Sequence, residues 1–107
     1  ADGDIIGNST TISSDIKLKN NIKVIEDAIK KLSTLEGVTF NWNKDNKPSI
    51  GVIAQQVQKT FPELVTEVNN LNDEDTHLTV NYSGLIGVLI ESIKELKKEI
   101  QELKSNK

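Results

Sequence analysis

The chain has 107 residues, 36% of them apolar and 27% charged, with 13 basic against 16 acidic side chains and a net charge of −3. That length supports one small domain with a thin core. It has no cysteine, which excludes disulfide staples and thiolate metal sites, and its single histidine excludes a multi-histidine site within one chain. All of the basic residues are lysine, so the guanidinium fork that reads phosphate and guanine is missing and nucleic acid is a disfavoured partner. No run approaches the roughly 18 apolar residues of a membrane helix. Neither a metal nor a cofactor is expected, and oligomerisation is the remaining cheap way to support so thin a core.

Residues 1–13 carry Ile5, Ile6, Thr10, Thr11 and Ile12 among small polar residues. They read as one or two short strands with a turn at Gly7-Asn8. The segment lacks the basic start and apolar run of a signal peptide. It reads as the tail of something upstream.

Over 21–35, Ile22, Ile25, Ala28, Ile29, Leu32 and Leu35 recur at helical spacing. Glu26 precedes Lys30 by four residues, and Gly37 is placed to end the helix. Val38 to Asn43 alternates apolar and polar residues, as a half-buried strand does, and Ile50 to Ile53 reads as its hairpin partner across a polar turn. Ala54, Val57 and Phe61 predict a short helix stopped near Pro62. Residues 65–68 and 78–82 are two further strands, with a turn-rich acidic loop between them. His77 in that loop reads as a solvated turn residue. Asp73, Glu74 and Asp75 read as a solvated run without the ligand spacing of a calcium loop.

From Ser83, which can cap a helix, the pattern changes. Ile86, Leu89, Ile93, Leu96, Ile100 and Leu103 step by three and four, an a/d heptad seam. The e and g positions include Lys97, Glu99 and Lys104, and in a parallel pairing Glu99 lies near a neighbour's Lys104. The last turns have no other sequence left to pack against, so the seam predicts self-association through a coiled coil. Isoleucine at a with leucine at d leans toward two strands, whereas Leu85 and Ile90 widen the apolar face near the start of the helix, which suits three strands or docking on the domain body. Periodicity alone does not settle it.

One short segment carries chemistry. In Ser13-Ser14-Asp15-Ile16-Lys17-Leu18-Lys19, a serine stands five residues before a lysine. A serine hydroxyl is a poor nucleophile until a base takes its proton. A neutral lysine amine can be that base where burial and a nearby positive charge, such as Lys17, favour the neutral form. Five residues span about 140° of a helix, and on a strand they fall on opposite faces. The pair therefore needs a bend between its members, or a partner chain.

The chain resembles the C-terminal intramolecular chaperone domains of phage tail spikes and fibres, the S74 self-cleaving peptidase family. The resemblance runs from Ser14 to Leu103. It is carried by SDIKLKNNI at 14–22, VTFNW at 38–42, IGVIAQQVQKTFPELV at 50–65, VNYSGL at 80–85 and the closing helix IESIKELKKEIQEL. The family often has arginine where Lys17 stands.

The resemblance implies a homotrimeric chaperone that sets the register of an upstream fibre in the host cytoplasm during virion assembly. It then cuts itself off, leaving the mature fibre. Carried over, Ser14 is the nucleophile, Lys19 the general base and Ser13–Ser14 the cleaved bond, while Asp15 and Lys17 position the segment. The partners are further copies of the chain and the upstream fibre, with no nucleic acid, membrane, metal or cofactor.

The expected fold is α+β: a small antiparallel sheet with two or three helices, and a long C-terminal helix in a parallel trimeric coiled coil. Residues 1–13 end the upstream fibre segment, 14–82 form the chaperone body and 83–107 the helix. The alternatives are a permanent, non-cleaving trimeric tip or connector, an adaptor that binds another protein through the same helix, and a membrane-associated transcription-factor precursor with a similar module.

Overall fold

The computed structural model describes residues 11–69 and 76–106. The expected turn at Gly7-Asn8 and the acidic run at 73–75 lie outside them. The described chain is α+β. It contains helices α1 (Ala28–Leu32), α2 (Ala54–Thr60) and α3 (Tyr82–Ser105), strands β1 (Val38–Asn41), β2 (Pro48–Gly51), β3 (Val65–Val68) and β4 (His77–Val80), and 3-10 turns at Ile16–Leu18 and Pro62–Leu64.

The strands form two separate antiparallel hairpins, β1–β2 and β3–β4, rather than the single sheet expected. In the first, Val38 pairs with Gly51 and Asn41 with Pro48. Its turn closes through Asn46, whose left-handed φ of 61° suits the short polar side chain. The Asp45 carboxylate there accepts from the Lys47 N–H at 3.1 Å. In the second hairpin, Val65 pairs with Val80 and Val68 with His77. His77 is thus a strand residue, not a turn residue, while Tyr82 belongs to α3 rather than to a strand.

Ala28, Val57, Phe61, Leu85 and Val88 form the core, with Ile25, Leu32, Leu35, Val52, Leu64, Val65 and Val80 packed against it. α2 follows the expected pattern: Val57 faces inward and Pro62 opens the next turn, where its missing N–H costs nothing. α3 is capped by Asn81, not Ser83, and the Asn81 side chain accepts from the Gly84 N–H at 3.3 Å. Gly84 lets α3 lie close against Leu64, whose side chain occupies the place a Cβ would take.

The helix expected over 21–35 is reduced to Ala28–Leu32, and Gly37 lies beyond its end. The cause lies at Asp27, whose backbone is left-handed (φ 55°), so no helix continues upstream through it. Ile22 and Val24 remain exposed on an irregular segment. The start of α1 is capped from across the molecule: the Glu95 carboxylate on α3 accepts from the Ala28 N–H at 2.8 Å and the Ile29 N–H at 3.0 Å.

Candidate functional site

The 3-10 turn at Ile16–Leu18 supplies the bend that the Ser14/Lys19 spacing requires. Asp15 stands at its N-cap in extended conformation, and its carboxylate accepts from the Lys17 N–H at 3.0 Å. The Leu18 N–H then donates to the Asp15 carbonyl and the Lys19 N–H to the Ile16 carbonyl. Three residues per turn, rather than 3.6, bring the chain back on itself within one short loop. The long lysine side chain spans the remaining gap, and Lys19 Nζ donates to Ser14 Oγ at 2.7 Å.

One chain therefore brings Ser14 and Lys19 into contact, while Ser13 immediately precedes the pair. Lys17 contributes its backbone N–H to the turn. All of these residues are exposed, so burial is not supplied within one chain. The segment also exposes apolar side chains: Ile12, Ile16, Leu18, Ile22 and Val24 are 63% to 73% accessible. A groove of about 580 Å³ beneath residues 23–26, walled by Lys31, Glu63 and Gly84, includes neither member of the pair.

α3 has two apolar faces. Leu85, Val88 and Ser92 turn toward the body and are buried. Ile86, Leu89, Ile93, Leu96, Ile100 and Leu103 lie roughly a quarter-turn around the helix and stay 45% to 68% exposed. All six seam residues thus lie on one solvent-facing stripe. At 24 residues α3 is about 36 Å long, and Glu95 is the last of its residues that is not exposed. The described structure measures 62 × 38 × 25 Å, and its radius of gyration of 17.5 Å exceeds the ~13 Å of a compact chain of this length.

Glu95 marks that limit, and the heptad reading did not single it out. Its two backbone hydrogen bonds, first from Ile29 and then from Ala28, hold its carboxyl below the ordinary value against a smaller opposing effect of burial. No sequence pattern pairs residue 95 with residue 28, so nothing local could have revealed the contact. Among the described residues no cluster of His, Cys, Asp or Glu could hold a metal. No described helix is long and apolar enough to cross a membrane.

Residues 14–66 match the peptidase S74 family, described as chaperone of endosialidase, and the match begins at Ser14. The chain is also similar to long tail fiber proteins Gp37. It is 34% identical to that of Enterobacteria phage K3 over 99 residues, which is 88% of this chain and 8% of that protein. For Salmonella phage S16 the identity is 34% over 117 residues, 95% of this chain and 15% of that protein. For Enterobacteria phage M1 it is 35% over 105 residues, 92% and 41% respectively. The chain thus spans between 8% and 41% of the length of these relatives.

Proposed function

Because the chain belongs to the chaperone-of-endosialidase family, we propose that it is the C-terminal intramolecular chaperone of a phage tail fibre, which gathers three chains through α3 and then releases itself by cutting between Ser13 and Ser14. The observation that carries the cutting is the 2.7 Å approach of Lys19 Nζ to Ser14 Oγ.

In the resting arrangement the lysine donates. The reaction needs the reverse, with Ser14 donating to a neutral amine. Lys19 then takes the Oγ proton as Oγ attacks the Ser13 carbonyl carbon. The C–N bond breaks, Lys19 returns the proton to the departing Ser14 amine, and an ester joins the Ser13 acyl group to Oγ. Water, deprotonated by the same lysine, hydrolyses the ester. The products are a fibre ending in the Ser13 carboxylate and a domain beginning with the free amine of Ser14.

Burial of the exposed pair among three assembled chains would favour the neutral amine, so cutting would wait for assembly. A seam variant that is monomeric yet cuts at the wild-type rate would sink that coupling. Assembly itself serves folding. Intertwined β-structure is dominated by non-local contacts and aligns slowly, while joined chains raise the local concentration and fix the register. Removal of the chaperone in the host cytoplasm would leave the mature fibre held by its unfolding barrier. In this reading residues 1–13 belong to the fibre, 14–82 to the chaperone body and 83–107 to the trimerising helix.

The test is intact mass of the chain joined to its native upstream fibre, beside Ser14→Ala and Lys19→Ala. Wild type splits between Ser13 and Ser14, and both variants assemble but stay whole. A wild-type fibre that assembles and stays whole would instead favour a second reading, a permanent trimeric tip or connector. The exposure of the Ser14–Lys19 pair is the observation on that side.

A further inference from the structure

We infer that Asp15 is a positioning residue for the Ser14–Lys19 pair, acting as an uncharged hydrogen-bond acceptor would, by capping the turn between them; this rests on the proposed cleavage. The approach of Lys19 to Ser14 is not inherent in the spacing. In a regular helix or strand the two side chains diverge. They meet because the chain between them makes one 3-10 turn, and that turn is short, solvent-exposed and without a buried residue. A three-residue turn has little strength of its own, since nucleating helical structure fixes several dihedrals for each hydrogen bond gained. Two backbone bonds close it, Leu18 N–H to the Asp15 carbonyl at 3.0 Å and Lys19 N–H to the Ile16 carbonyl at 3.1 Å.

The Lys17 N–H, which has no backbone acceptor within the turn, donates to the Asp15 carboxylate at 3.0 Å. Asp15 is thus bonded to the turn by both its side chain and its carbonyl, and it adjoins the nucleophile. Losing the cap shifts the turn toward extended conformers in which Lys19 no longer reaches Ser14. Rate would fall with the population of the closed turn, because a nucleophile and its base act only when they are in register.

The side-chain contact is an oxygen accepting from an N–H, which an asparagine Oδ1 reproduces and an alanine does not. A contribution from the carboxylate's charge would behave differently: asparagine would fail as alanine does, and the pH dependence of cutting would move.

The experiment compares Asp15→Asn and Asp15→Ala in the chain joined to its upstream fibre, following single-turnover cleavage by intact mass across pH. Asp15→Ala is expected to lower the plateau rate about tenfold, the scale of a lost cap, without moving the midpoint of the pH profile. Asp15→Asn is expected to stay within about threefold of wild type. Wild-type cutting by Asp15→Ala, or equal failure of both variants with a displaced midpoint, overturns the inference.

A second readout does not depend on cleavage. In a Ser14→Ala background, the HN–Hα couplings of Ile16, Lys17 and Leu18 report the turn directly. Asp15→Ala is expected to shift them toward extended values and Asp15→Asn to leave them unchanged. If wild type never cuts, the proposed cleavage fails, while unchanged couplings in Asp15→Ala would separately refute the cap.

Discussion

Replacing Ile93 with glutamate tests the stripe on α3 where it is most sharply defined. Ile93 is 65% exposed in the single chain and is not part of the core, so the body should fold unchanged. Fully burying such a side chain is worth about 1.5–3 kcal/mol, and the exposed fraction accounts for about 1–2 kcal/mol of that per chain. Three copies meeting at one level would lose about 3–6 kcal/mol together, or roughly 10²- to 10⁴-fold in the association constant. Burying three carboxylates at that level adds to the loss. Lys94 supplies the control, since its side chain is also 65% exposed but points away from the seam. Its change to glutamine should leave association intact. Sedimentation equilibrium is the assay, with circular dichroism to confirm the fold. A wild-type monomer, or an Ile93→Glu variant that keeps the wild-type mass at micromolar concentration, would refute the reasoning.

Three predictions concern the joints of the body. Glu95 has a lowered folded-state pKa, so its contribution to stability is present above the unfolded carboxylate pKa and is lost as pH falls through the folded value; urea unfolding across acidic pH should show Glu95→Gln less stable at neutral pH, with a shallower acid loss than wild type. Ser92 is buried with its hydroxyl unpartnered among the described residues, so Ser92→Ala should raise stability by about 1 kcal/mol, read as a higher midpoint in the same titration. Gly84→Ala gains up to about 1 kcal/mol of helix propensity but drives a Cβ into Leu64, an overpacking cost of about 1–3 kcal/mol; the expected net is a lower thermal midpoint.

The parts of this fold that were legible are those whose cause is local. Residues 65–68 form a strand as expected, and α2 occupies the stretch before Pro62 where Ala54 and Val57 placed it. The heptad steps correctly placed six residues on one side of α3. Failure came where distant residues decide. The stripe from Ile22 to Leu35 has helical spacing, yet left-handed Asp27 and the remote cap by Glu95 confine the helix to its middle. The strands form two hairpins because each pairs with its sequence neighbour, and alternation alone does not say whether hairpins join. At the candidate site the need for a bend was visible in the five-residue spacing. Its means was also written there, in an aspartate two residues ahead of the N–H it caps, a signal recognisable once the turn is known.

The hydrogen bond between Lys19 and Ser14 and the stripe along α3 have no residue in common. One is encoded in six contiguous residues, the other in periodic positions near the far end of the chain. On the proposed function the dependence between them runs one way: cutting needs assembly, but assembly does not need cutting. If the proposed cutting holds, a single substitution at 14 or 19 would turn a domain that departs into one that stays, with its association intact. Drift along the stripe would reach the hydroxyl and amine as well, through the burial that assembly supplies. On that reading the mutational path from a disposable domain to a permanent one is a single step.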